Sequence, residues 1–200
     1  MKVLGTKFPE VKLIEINEYP DLREMQTNCA VTYQWDVIKR YVDKEAMPFV
    51  SEAEMTVARE STLRGLYYDL PPRAGNTLVR CISGRVFQVV VDLRENKPTY
   101  RQWFGRELSA QNRLQMYVPA GFAQGFLTLS DNVVLQYKST SYVGSQFKKV
   151  INYADPLLGI QWPRKPVYMS AQVKYAPGIE RVEIEKAAGW KEEDPVSCFL

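Results

Sequence analysis

The chain of 200 residues contains no histidine. That removes the side chain whose ordinary pKa lies nearest neutrality, the usual physiological-pH general base. It also removes the commonest ligand for zinc, copper and iron, so a histidine-ligated metal site cannot be built. Serine–histidine and cysteine–histidine catalysis are excluded on the same ground. Cysteine is scarce. Cys29, Cys81 and Cys198 are far apart, form no CxxC motif and imply no disulfide framework. Cys81 sits in an apolar run and reads as a small core residue, and Cys198 stands third from the end, out of place for a prenylation box. No apolar run is long enough to span a membrane, so no membrane partner is expected. The opening "MKVLGTKFPE" lacks the apolar core of a secretory signal, so a cytoplasmic address is expected. A basic stripe is missing too: the net charge is +3 with acids and bases interspersed, which argues against a nucleic-acid partner. The lysine pair of "FKKV" reads as a solvated edge.

What is present is an ordinary soluble composition, 46% apolar and 24% charged, at a length that suits a single domain over residues 1–200. "VKLIEI" alternates and reads as a strand, and "WDVIKRYVDKEAMPFV" allows a helical turn or two before Pro48. From about Thr56 to Val143 strand follows strand. In "RVFQVVVDLR" the residues Arg85, Phe87, Val89, Val91 and Leu93 share one face at period two. "SGR" joins this run to "TLVRCISG" and "SDN" joins "GFLTLS" to "VVLQYKSTSYV", both as hairpin turns. "ENKP" breaks the chain before "TYRQWFGREL" and "LQMYVP". Closely spaced strands with short turns predict an antiparallel sandwich or barrel. Beyond Val150 the pattern loosens. "VYMSAQVKYAPGIERVEIEKAAGW" is amphipathic and predicts a terminal helix broken at "APG", and the "KEEDP" tail reads as solvated.

Four short features stand out from the β background: "TLRGLYYD", the proline–glycine loop "VPAGFAQGF" with Gln124 in its middle, "LQYKSTSY", and "YADPLLGIQWP". Each has a plain structural reading. Arg64 suits a solvated edge, Tyr67 and Tyr68 are strand-favouring aromatics, Tyr137 suits a core position, and Asp155 before Pro156 starts a turn. Two glycines flanking Gln124 would let the backbone approach a ligand.

Taken in order, the four features resemble the deoxysugar-nucleotide epimerases of the dTDP-4-dehydrorhamnose 3,5-epimerase family. The likeness is carried by "LRGLYY", "LVRCISGRVFQVVVDLR", "PTYRQWFGRELSAQNRLQMYVPAGFAQGFLTLSDN", "YKST" and "DPLLGIQWP", running from Leu63 to Pro163, and more weakly by "IEINEYPDLRE". The resemblance implies a mainly β, cupin-type jelly-roll barrel of about residues 49–150, with N-terminal strand additions. A C-terminal extension over 151–200 carries a short helical segment. It implies a homodimer and a nucleotide-diphosphate sugar, dTDP- or CDP-linked, carrying a 4-keto-6-deoxyhexose. The chemistry is proton removal beside the C4 ketone and return from the opposite face, at C3, C5 or both, with no cofactor and no metal. It further implies that Arg64 contacts the diphosphate and that Tyr137 is the general acid. Asp155 is the carboxylate that serves the base, and Arg23 reaches the nucleotide from a partner subunit. Arg80, Gln115, Gln124, Thr77 and Trp162 are the remaining expected substrate contacts.

The departures fall on the chemistry. Where the family reads "RGLHYQ", this chain has Tyr67 in place of the basic histidine; where it reads "GFAHGF", this chain has Gln124. A family lysine is Thr77, the "QxN" pair is Ser51 and Ala53, and the glycine of "DxRG" is Glu24. A phenol of ordinary pKa near 10 is a poor resting base, so Tyr67 as a base needs a positive neighbour, and Arg64 is the candidate. A regular strand would point residues 64 and 67 to opposite faces, and only a bulge or sharp twist, which Gly65 permits, brings them together. Three readings stay open: an epimerase, with one-carbon action suiting the losses; a keto-sugar isomerase; and a sugar-nucleotide-binding homologue without turnover.

Overall fold

In a computed structural model of the chain, residues 1–16, 18–20, 28–30, 32–71, 73–142 and 147–181 are described. Arg23, Cys198 and the tail after residue 181 lie outside them. Among the described residues thirteen strands run in chain order: β1 (Lys2–Gly5), β2 (Lys12–Glu15), β3 (Glu18–Pro20), β4 (Asn28–Ala30), β5 (Ser51–Val57), β6 (Leu63–Asp69), β7 (Thr77–Ser83), β8 (Arg85–Asp92), β9 (Trp103–Ser109), β10 (Leu114–Val118), β11 (Phe122–Thr128), β12 (Val133–Ser139) and β13 (Lys148–Val150). They form a six-stranded sheet, β1-β2-β10-β7-β12-β5, a five-stranded sheet, β13-β6-β11-β8-β9, and a small β3-β4 pair. The pairings among these strands are antiparallel, and an isolated bridge between Thr62 and Tyr168 is parallel.

The two large sheets face each other across one apolar core. Leu13, Val79, Cys81, Met116 and Leu135 enter it from the first sheet, and Val86, Val90, Phe122 and Phe126 from the second. Each such side chain contributes about 1.5–3 kcal/mol by leaving water. Burial also pushes the Cys81 thiol up to about 11, so it is an inert core group and no nucleophile.

The β8 stripe lies as the alternation predicts, but both of its faces are covered. Val86 and Val90 point into the barrel. Phe87, Val89, Val91 and Leu93 point outward, under Ile151, Leu158, Ile179 and Trp162 of the C-terminal passage. A strand buried on both sides reads as a continuous apolar run, and "VFQVVV" is one. Gln88 is the exception within it.

Two turn expectations are corrected. "SGR" and "SDN" are tight, with Gly84 and Asn132 at positive φ, yet neither closes a hairpin. β7 pairs with β10 and β12, whereas β8 pairs with β9 and β11. β11 and β12 likewise belong to different sheets. The turns are corners at which the chain crosses from one sheet to the other, so both strands can turn an apolar face to the shared core. "PAGFAQGF" is corrected as well. Phe122–Thr128 is strand throughout, so Gln124 sits in mid-strand and the loop shrinks to Pro119–Gly121. The reason is alternation: Phe122 and Phe126 enter the core while Ala123 and Leu127 face outward.

The helical turns before Pro48 are present as α1 (Trp35–Val37), continued by a π-helical turn over Ile38–Val42. They cover the outer face of the six-stranded sheet, where Ile14, Ile38, Leu78 and Tyr117 pack together. The C-terminal helix begins as α2 (Ala171–Lys174), with the Ser170 hydroxyl accepting the Val173 amide as its cap. It stops at Tyr175 before "APG", as expected.

Candidate active site

The barrel holds a cavity of about 430 Å³ between the two sheets. Its geometry starts at Gly65. In the β6–β11 pairing, Tyr67 lies opposite Gln124 and Arg64 opposite Phe126, so β6 carries one residue more than β11 over that span. This is a bulge, and it turns both Arg64 and Tyr67 to the cavity. Gly65 adopts φ +105°, and a Cβ there would lie 2.6 Å from the Gln124 carbonyl oxygen and 2.7 Å from Gly125 Cα. A Cβ on Gly125 would in turn meet the Arg64 carbonyl oxygen at 2.7 Å. Two glycines face to face let the strands close over the bulge.

Five of the residues expected from sequence meet in the cavity lining: Arg64, Tyr67, Thr77, Gln124 and Tyr137. Tyr67 stands on β6 in one sheet and Tyr137 on β12 in the other, so the two residues line the cavity from opposite walls, and Tyr67 also packs against Leu63 and Val150. Tyr137 keeps part of its surface open to the cavity while protein surrounds it. Burial pushes its pKa above the ordinary tyrosine range, against the pull of the Arg64 charge. It is therefore protonated at neutral pH and suited to donate. Lys148, on β13, places Nζ 5.7 Å from the centre of the Tyr67 ring.

Thr77 and Gln124 are linked. Gln124 Nε2 donates to Thr77 Oγ1 at 3.2 Å, and Gln88 Nε2 donates to Gln124 Oε1 at 3.3 Å. Arg64 Nε is buried and has no partner.

The structure separates four expected residues from this cavity. Arg80 and Gln115 lie opposite one another on β7 and β10. Period two turns them to the face of the six-stranded sheet away from the core that Val79 and Met116 enter. Gln115 Nε2 donates there to the Thr32 carbonyl at 2.6 Å. Burial lowers the Arg80 pKa, with the Arg113 charge adding to the effect. Trp162 covers the outer face of the five-stranded sheet, its Nε1 donating to the Tyr153 carbonyl at 3.0 Å and its ring 6.3 Å from that of Phe87. Asp155 is buried, and its carboxylate accepts the Leu157 amide at 2.8 Å and the Ile179 amide at 2.7 Å. It joins the turn after Asp155 to the C-terminal passage.

Three charged cavity residues escaped the sequence reading: Asp69, Arg73 and Lys148. Asp69 was within reach, since period two from Tyr67 puts it on the same face. Its pKa is raised by burial, with Lys148 opposing. Lys148, expected as part of a solvated edge, is exposed and also lines the cavity, because the pairing of β13 with β6 sets it opposite Asp69. Arg64, Arg73 and Lys148 together make the lining rich in cations, as an anionic ligand requires.

The family model described as dTDP-4-dehydrorhamnose 3,5-epimerase matches residues 5–180. The chain belongs to that family. It is 37% identical over 163 residues to the dTDP-4-dehydrorhamnose 3,5-epimerase of Sinorhizobium fredii, covering 82% of this chain and 81% of the relative. It is 34% identical over 182 residues to that of Salmonella typhimurium, covering 90% and 97%. Among solved structures, the Legionella pneumophila dTDP-6-deoxy-D-glucose-3,5-epimerase in complex with dTDP-4-keto-L-rhamnose superposes with a TM-score of 0.84 at 31% identity, covering 92% of this chain and 95% of that one. The cupin jelly roll expected from the resemblance is the fold observed.

Proposed function

We propose that the protein is an isomerase-class enzyme, a sugar-nucleotide epimerase of deoxysugar biosynthesis. It acts on a nucleotide-linked 4-keto-6-deoxyhexose, inverting C3, C5 or both. Family membership supports this reading, and the dTDP-sugar complexes among the relatives favour thymidine over cytidine. The observation that carries the chemistry is the pair of phenols on opposing walls, Tyr67 and Tyr137. Epimerisation removes a proton from one face of the sugar and returns one to the other, so it needs a proton-carrying group on each side.

A hydrogen on carbon next to the C4 ketone is acidified because its loss gives an enolate. Tyr137, held protonated by burial, supplies a proton to one face of that enolate. Tyr67, in the position of the missing histidine on the other face, accepts the proton that leaves the carbon, with the Lys148 cation over its ring. Arg64 anchors the diphosphate, and Thr77 and Gln124 line the sugar end. Asp155 acts at one remove by holding the C-terminal passage against the barrel. We further place the enzyme in the cytoplasm as a homodimer feeding O-antigen or lipopolysaccharide synthesis, with Arg23 reaching across; the sequence resemblance supports this assembly and setting.

The test is product analysis. After incubation with dTDP-4-keto-6-deoxyglucose, the ketone is reduced chemically and the released sugars identified. Sugars inverted at C3 or C5 are expected. The absence of histidine favours a second reading, binding without turnover. Nucleotide binding with both centres unchanged would decide for it.

A further inference from the structure

Among the described residues, three buried side-chain polar atoms lack a hydrogen-bond partner: Arg64 Nε, Arg80 Nε and Gln88 Oε1. Two of them, on Arg64 and Gln88, belong to residues that line the cavity. They are complementary, one a donor and one an acceptor. Arg64 on β6 and Gln88 on β8 both pair with Phe126 of β11, so they stand at one level with a single strand between them. Two strand spacings put their backbones roughly 10 Å apart.

Gln88 is 1% exposed and sits among valines. A buried amide there is costly unless both its ends are satisfied. One end is satisfied. Its Nε2 donates to Gln124 Oε1, and Gln124 Nε2 donates onward to Thr77 Oγ1. In the structure the chain runs one way: Gln88 turns its NH₂ to Gln124, and Gln124 turns its own NH₂ to Thr77. The carbonyl oxygen is then the end left without a partner. Only a donor can satisfy it, and a sugar hydroxyl is one.

We propose that Gln88 is a specificity-determining residue that accepts a hydrogen bond from one hydroxyl of the hexose while Arg64 holds the diphosphate. The inference rests on the sugar-nucleotide reading and deepens it. Gln124 acts as a positioning residue, its Oε1 holding the Gln88 NH₂. A site built around an unpaired acceptor discriminates against a ligand that lacks the matching donor.

The experiment is calorimetric binding of dTDP, dTDP-glucose and a set of dTDP-glucose analogues each lacking one hydroxyl. Wild-type protein is compared with Gln88→Met and Gln124→Met, each checked for a wild-type thermal melt. One analogue is expected to bind about 10- to 100-fold more weakly than dTDP-glucose. That penalty should vanish in Gln88→Met and shrink in Gln124→Met, with affinity for dTDP itself unchanged in both. Should Gln88→Met melt early, Gln88→Leu serves in its place: it too removes the acceptor and should abolish the penalty. Equal binding of all the analogues, or a penalty that survives Gln88→Met, overturns the inference while dTDP binding leaves the sugar-nucleotide reading standing. Failure to bind dTDP at all removes both.

Discussion

Arg64 and Tyr67 face the same cavity from β6 although an alternating strand would set them on opposite sides. The bulge at Gly65 makes this so, and it closes because Gly65 and Gly125 lie against each other. Gly65→Ala is therefore expected to lower stability by at least ~2 kcal/mol, combining positive-φ strain with a backbone clash. Urea denaturation measures it. A loss under about 0.5 kcal/mol would mean that the bulge tolerates a side chain and does not set the site.

Arg64 carries a buried Nε with no partner, an arrangement that costs the empty protein free energy. Arg64→Met should accordingly leave the nucleotide-free protein no less stable. It should weaken dTDP binding by roughly 10- to 100-fold, the worth of a charge-assisted hydrogen bond of about 1.5–3 kcal/mol. Titration calorimetry beside thermal melts separates the two effects. A large loss of stability with unchanged affinity would mark Arg64 as a structural residue instead.

Tyr117 is fully buried on the other side of the six-stranded sheet. Its hydroxyl donates to Asp43 Oδ2 and accepts from Asn76 Nδ2, both at 2.7 Å. Burial pushes its pKa well above the ordinary value, and the Asp43 carboxylate adds to the rise. Tyr137 shifts the same way, chiefly through burial. A phenol whose pKa is higher folded than unfolded stabilises the protein below the unfolded value, near 10. That contribution is lost as pH rises through the folded value. Stability should hold to about pH 10 from these two groups and fall above it. Tyr117→Phe should flatten the alkaline fall and cost roughly 1–3 kcal/mol at neutral pH. Chemical denaturation at pH 8 and pH 11 checks the slope; an unchanged slope in the variant would contradict it.

Asp155 holds the Leu157 and Ile179 amides with one carboxylate. Asp155→Asn puts an NH₂ where one acceptor stood, and a loss of roughly 1–3 kcal/mol is expected. Faster hydrogen exchange at the Ile179 amide should accompany it. If exchange at Ile179 stays slow while epimerisation stops, Asp155 belongs with the chemistry rather than with the scaffold.

The site is legible in the sequence where a residue's face follows from local pattern, and hidden where it depends on the partner strand. Tyr137 alternates with Leu135 on an ordinary strand, so its inward direction was legible. The bulge was legible as a condition, because only glycine at position 65 allows it. "SGR" and "SDN" misled because a tight corner between sheets and a hairpin turn use the same residues, and only long-range pairing tells them apart. Gln124 looked like loop because two glycines flank it, yet Gly125 serves strand contact rather than a turn. Arg80, Gln115 and Trp162 stand in the motifs that carry the resemblance but on faces turned from the cavity. Lys148 came from the β13 edge, whose pairing no local pattern announces.

The measurement that bears most directly on an epimerase with a phenol on each wall is hydrogen exchange at the sugar. The protein is incubated in heavy water with dTDP-4-keto-6-deoxyglucose, and the C3 and C5 protons are followed by NMR. Loss of the proton signal at one or both carbons is expected, with Tyr137→Phe and Tyr67→Phe each slowing turnover by ~100-fold or more while dTDP binding persists. Unexchanged C3 and C5 protons in the presence of nucleotide-bound wild-type protein would contradict the epimerase, and undiminished exchange in Tyr67→Phe would remove that phenol from the chemistry.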